Sequence, residues 1–234
     1  GEAPVYVVHL SSAAGLAEVR KARAAGQRHF GVESCTQYLT LTEEAYSDPQ
    51  EGLKAIMSPP LRTGADCEAL WGGLADGSVD AVATDHCPFR FAVEKQAGLG
   101  DFTGCPNGAP GVEERLPLLY SQGVARGRIS ICDLVRLLCA APSRLYGLYP
   151  QKGTLRPGAD ADVVILDPNA QRTLTHSGLH GAADYTCYEG MPLQGAIDLV
   201  LVRGQVAVRD NRFVGEKGAG RYLKRGRSVL AGQD

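Results

Sequence analysis

The sequence predicts an α/β fold with parallel strands, followed by a smaller and mostly β region. Short apolar runs at residues 5–10, 29–33 and 79–84 alternate with helical stretches. That alternation is the pattern of parallel strands joined by helices that lie outside the sheet. The first run, VYVVHL, is nearly continuous in β-branched and aromatic residues, as suits a strand buried on both faces. Beyond Pro150 the chain changes to turn residues and valine-rich runs.

Each element follows from its local residues. After the strand over 5–10, residues 13–25 are helix formers and Gly26 stops the helix. Residues 29–33 read as a second strand, and a long polar loop follows. A helix over 66–75 places Leu70, Trp71 and Leu74 on one side, and residues 79–84 (VDAVAT) form a third buried strand. Residues 111–123 and 131–141 read as two more helices. The turn Pro157-Gly158 then leads into a strand over 162–166, closed by Asp167-Pro168. Runs at 196–203 and 205–209 flank Gly204 as a β-hairpin. Residues 215–234, rich in Gly, Arg and Lys, are expected as a loose tail or an arm packing on a neighbour. The expected division is therefore 1–150, 151–214 and 215–234. Three parallel strands cannot close a barrel, which takes eight. An open sheet and the last part of a barrel both fit the periodicity.

Composition narrows the function classes. With 44% hydrophobic and 21% charged residues, a chain of 234 residues can bury a real core. A net charge of -2 gives no electrostatic case for nucleic acid or a membrane surface. No apolar run approaches the roughly 20 residues of a membrane span. The start GEAPVYVVHL has no signal-peptide pattern, and a core strand this early suggests that more chain precedes it. Seven cysteines without a CxxC pair read as reduced cytosolic thiols, most of them small apolar core residues.

Two residues stand out for chemistry. His9 ends the first strand, and Asp85, in VATDHCPF, ends the third. In a (β/α)₈ barrel the C-terminal ends of the strands form the active-site face. A carboxylate buried there must be paired, hydrogen-bonded or bound to metal. One N and one O donor suit a divalent metal, but a catalytic zinc typically takes three protein ligands, so these two fall short of a site. His86 is adjacent, and neighbouring side chains on extended backbone diverge, which makes it the weaker candidate.

The ordered set VYVVHLSSAAG, VESCTQYLTL, MSPPLR, LADGSVDAVATDHCPF and DFTGCPNGAPGVEERLPLLY resembles dihydropyrimidinases and D-hydantoinases of the amidohydrolase superfamily. The stretch APSRLYGLYPQKGTLRPGADADVVILDP is similar to many members of that superfamily. The resemblance implies the C-terminal part of a TIM-like (β/α)₈ barrel, strands six to eight, followed by part of a small β-rich domain. It implies that His9 binds the more exposed metal of a pair, and that Asp85 binds the more buried one and acts as general base. It further implies that Ser58 and Asn107 hold a small cyclic amide substrate, largely through backbone groups. The implied cofactor is two divalent ions, expected to be zinc, bridged by a carboxylated lysine that is not in this chain. The HxH pair, that lysine and a further histidine would belong to a missing N-terminal half. His29, His176 and His180 do not replace them and read as structural or exposed.

The activity implied by the resemblance is hydrolysis of dihydropyrimidines or hydantoins to N-carbamoyl amino acids, in a cytoplasmic homotetramer of pyrimidine degradation, with this chain alone inactive. Allantoinase and dihydroorotase share the metal logic, but the QYL, SPPLR and PNG spellings favour the dihydropyrimidinase side. A non-catalytic, dihydropyrimidinase-like scaffold is the reading from another class, and retention of both His9 and Asp85 argues against it. A stable standalone fragment would expose unpaired strand edges, which is an aggregation hazard.

Overall fold

The computed structural model describes residues 3–231 and contains two sheets. The first is parallel, in the order β1 (Val5–Val7), β2 (Phe30–Cys35), β3 (Ala81–Ala83). Val5 lies opposite Phe30, and Cys35 lies opposite Ala83, so all three strands end on one rim. The connecting helices α1 (Ala13–Ala24) and α3 (Gly64–Ala75) pack against each other, with Leu16 under Gly73.

Local chemistry sets these limits. Ser12 caps α1 by accepting the Gly15 N–H at 3.2 Å, and Gly26 leaves the helix at φ 84°. Thr63 and Asp66 form a capping box at the start of α3. The helix buries Leu70, Trp71 and Leu74, as its spacing predicts. Each such burial is worth about 1.5–3 kcal/mol. The Trp71 indole N–H is satisfied by the Leu39 carbonyl at 2.9 Å.

Several expectations need correction. The first strand is shorter than residues 5–10 and is not buried on both faces, since Val5 is 48% and Val8 45% exposed. Within this chain β1 pairs with β2 alone. The stretch after β2 is no polar loop at its start. It forms α2 (Thr36–Thr40), in which Thr36, Gln37, Tyr38 and Leu39 are all buried. Only Cys35, Cys67 and Cys105 are buried, while Cys132 and Cys139 are exposed, and all seven thiols are free.

The later helices are more broken than their periodicity suggests. Helix α4 (Arg115–Leu119) widens into a π segment at Tyr120–Val124. Helix α5 (Ile131–Val135) does the same at Arg136–Ala140 before α6 (Ala141–Leu145) resumes. Pro142 sits in the first turn of α6, where its missing N–H is tolerated.

The second sheet is antiparallel: β4 (Val163–Thr173), β5 (Pro192–Val202), β6 (Gln205–Arg209), β7 (Arg212–Phe213). The β5–β6 turn is Arg203-Gly204, both with positive φ, as the hairpin signal predicts. Asp167-Pro168 does not close the first of these strands. β4 runs on through it with a register shift between Asp167 and Gln171, which an edge strand tolerates at a proline. Residues 215–228 hold no helix or strand, and the Gly226 N–H donates to the Gly147 carbonyl at 2.7 Å. The tail's last residues, 232–234, lie outside the described ones. No helix among the described residues is long and apolar enough to cross a membrane.

Candidate active site

His9 lies two residues past β1, and Asp85 two residues past β3. These strands flank β2 on opposite sides, so both residues sit on the C-terminal rim of the parallel sheet. Both have left-handed backbone, φ 41° for His9 and 49° for Asp85. The other positive-φ residues besides glycine, among those described, are Arg203, Asp210 and Asn211 in the two β-hairpin turns. Such backbone costs about 1–3 kcal/mol where no turn requires it, and it persists at sites that need it.

Among the residues of this chain alone, Asp85 is not the buried carboxylate that its place at a strand end suggests. It is exposed and His9 is half-buried, because both stand beyond their strands and above the core. Neither side chain forms a hydrogen bond or ion pair within the described residues. Cys35 lies between them at the end of β2 and is fully buried. Burial first, then the Glu33 and Asp85 carboxylates, push its thiol far above the usual range. It stays protonated and is a poor metal ligand.

Ser58 and Asn107 are both exposed, and the Ser58 hydroxyl donates to the Asn107 Oδ1 at 3.1 Å. They share the wall of a cavity of about 500 Å³ whose lining includes Leu53, Ile56, Met57 and Phe102. Neither His9 nor Asp85 lines that cavity. The two pairs are joined through backbone instead. His86 bridges to Ala109, and the Cys87 N–H donates to the Ala109 carbonyl at 3.0 Å. The segment after Asp85 therefore lies against the segment after Asn107.

Three of the four remaining histidines have structural partners. His86 Nδ1 accepts the Gly111 N–H at 3.1 Å, which ties down the same loop. His176 Nε2 is 2.7 Å from the Ala183 carbonyl, and His180 Nδ1 is 2.8 Å from Glu113. His29 is exposed at the opposite end of β2.

Three further residues of this region are not singled out by the sequence reading. The Tyr38 hydroxyl donates to the Pro59 carbonyl at 2.8 Å, holding the SPP turn from below. Glu114 is buried, accepts the Thr186 hydroxyl at 3.0 Å, and has its pKa raised chiefly by burial. Lys95 is fully buried and donates to the Ile56 and Pro106 carbonyls, each at 2.8 Å. Tyr38 and Glu114 stand in the VESCTQYLTL and DFTGCPNGAPGVEERLPLLY motifs, whereas Lys95 stands outside every quoted motif.

His9 and Asp85 fit a divalent metal by donor type, a neutral imidazole nitrogen and a carboxylate oxygen. They fit as part of a site, because no group of three or more His, Cys, Asp or Glu gathers for a metal among the described residues.

Comparison with known proteins identifies the family and the fold. The profile of the Amidohydrolase family matches residues 8–207. The chain belongs to the amidohydrolase family. It is 51% identical over 225 residues to a D-phenylhydantoinase of Escherichia coli O1:K1 / APEC, which covers 96% of this chain and 48% of that protein. Among solved structures, dihydropyrimidinase from Brevibacillus agri NCHU1002 superposes with a TM-score of 0.94 at 42% identity, over 97% of this chain and 49% of that one. L-Hydantoinase from Arthrobacter aurescens gives 0.84 at 34% identity, over 94% and 48%. This amidohydrolase chain thus spans about half the length of the curated relatives it matches. Its parallel sheet and outer helices are part of a TIM-like barrel, and its second sheet is part of the small β-rich domain that follows.

Proposed function

We propose that these residues belong to a cyclic amidohydrolase that opens dihydropyrimidine or hydantoin rings to N-carbamoyl amino acids. The observation that carries the proposal is the pair of unpartnered, left-handed residues His9 and Asp85 on one rim of a parallel sheet. The 51% identity to a D-phenylhydantoinase supports the ring class.

In this reading His9 holds one metal and Asp85 the other. A divalent pair, when bound, supplies Lewis acidity toward the ring carbonyl and makes water a stronger acid. Asp85 accepts a proton from the attacking water and returns it to the ring nitrogen as the C–N bond breaks. Ser58 and Asn107 meet the alternating N–H and C=O edge of the ring through their backbone groups. The site is complete only with the rest of the barrel. The same reading takes the metals as zinc bridged by a carboxylated lysine, and the enzyme as a cytoplasmic homotetramer of pyrimidine degradation. It assigns residues 1–150 to the barrel, 151–214 to the small β region and 215–234 to an oligomer arm.

The test is elemental analysis together with dihydrouracil and hydantoin hydrolysis, on this chain and on the protein carrying the whole barrel. About two metal ions per chain and ring opening in the latter alone support the proposal. A whole-barrel protein that is metal-free and inactive overturns it and makes His9 and Asp85 relics in a scaffold.

A further inference from the structure

Lys95 is among the largest fully buried side chains of the molecule, at 0% exposure. No carboxylate pairs with it within the described residues, and burial pushes its pKa below the ordinary lysine value. A buried ammonium is expensive unless its donors are used. Two of its three N–H groups go to backbone carbonyls, Ile56 and Pro106, from loops that are 50 residues apart in sequence. The Phe89 ring lies 5.9 Å from the ammonium.

Those two carbonyls are not arbitrary. Ile56 stands two residues before Ser58, and Pro106 immediately before Asn107. The Ile56 carbonyl also accepts the Gly108 N–H at 3.0 Å, and Ser58 bonds Asn107 at 3.1 Å. The two loops are thus joined by two direct hydrogen bonds and by one bridge through the Lys95 ammonium. An apolar residue of similar volume would fill the same space at lower desolvation cost. Packing alone therefore does not account for a lysine here.

We infer that Lys95 is a positioning residue, whose ammonium locks the loops of Ser58 and Asn107 together and fixes the spacing at which their backbone groups grip the cyclic amide. This rests on the cyclic amidohydrolase reading for its substrate, while the locking of the loops stands on geometry. Because the ring is held in both ground and transition states, loss of the lock should weaken binding more than turnover.

The experiment uses the protein carrying the whole barrel, with Lys95→Met, Lys95→Arg and, as a core-stability control on α1, Leu16→Ala. For Lys95→Met the expected result is a KM raised about tenfold or more, with kcat within about threefold and metal content unchanged. Lys95→Arg, which keeps a cation with several donors, should recover most of the loss. Hydrogen exchange should speed up together at residues 56–58 and 107–108 in Lys95→Met, and not in Leu16→Ala. If Lys95→Met does not fold, Lys95→Gln takes its place in both measurements. A KM within about twofold of wild type, or a loss shared equally with Leu16→Ala, overturns the inference. If the wild type opens no cyclic amide, the functional reading has failed, and exchange then decides the lock alone. Acceleration in one loop only, or spread through the chain, sinks it.

Discussion

His9 and Asp85 occupy the same backbone state at equivalent places, two residues beyond two strands that flank β2, with φ of 41° and 49°. A left-handed residue immediately above a parallel strand turns the chain sharply at the rim. It does so twice outside any hairpin, at the two proposed metal ligands, which is where strain held for a site would be expected.

The sign of a glycine substitution tests this. At an ordinary position glycine is less stable than alanine by about 0.5–1 kcal/mol. At His9 and Asp85 the order should reverse: His9→Gly and Asp85→Gly should each be more stable than the matching alanine variant, by about 1 kcal/mol in metal-free protein. Denaturant unfolding measures the difference. Alanine equal to or better than glycine at both sites would mean that the backbone there is not strained. All four variants should lose metal, and Asp85→Asn should lower kcat about 10²–10⁴-fold without unfolding the protein.

Much of the scaffold is legible in the sequence because local physics and tertiary packing agree there. The β-branched runs form β1 to β3, Gly26 ends α1, and Gly204 turns the hairpin. Strand limits are less legible, since nothing in Asp167-Pro168 says that a bulge carries β4 past it. The rim residues are marked by their place at strand ends, but their left-handed backbone has no sequence signature. Lys95 escapes notice because a lysine between polar residues reads as solvated. Its two carbonyl partners come from elsewhere in the chain.

Gly108 offers a second test of the loop geometry. Its φ is 119°, a region open to glycine, and a Cβ there would lie 2.5 Å from the Cys87 Cβ. Gly108→Ala should therefore cost more than about 2 kcal/mol and raise KM by shifting Asn107. Adding Cys87→Gly removes the steric clash but leaves the backbone strain, so the double variant should recover part of the loss and not all of it. Full recovery would mean that the conformation at Gly108 is not itself demanding, and a harmless Gly108→Ala would mean that this loop is free to move.

Acid stability should depend on Asp66. Its carboxylate accepts the Thr63 hydroxyl and N–H within the capping box of α3, and its other oxygen accepts the Ala13 N–H at 2.8 Å, which ties the start of α1 to α3. The Thr63 hydrogen bond, followed by that from Ala13, holds its carboxyl below the ordinary value of 3.8. A depressed carboxylate binds its proton more weakly in the folded state, so its contribution is fully present above the unfolded value and is lost as pH falls through the folded one. Asp66→Ala should destabilise the protein by about 1–2 kcal/mol at pH 7. That gap should narrow only on the acid side of 3.8 and stay constant from pH 5 upward. Urea midpoints across that range decide it. A gap already closing between pH 5 and 7 would place the linkage on some other group, and a gap unchanged at the lowest pH would show that the carboxylate's charge contributes nothing to the cap.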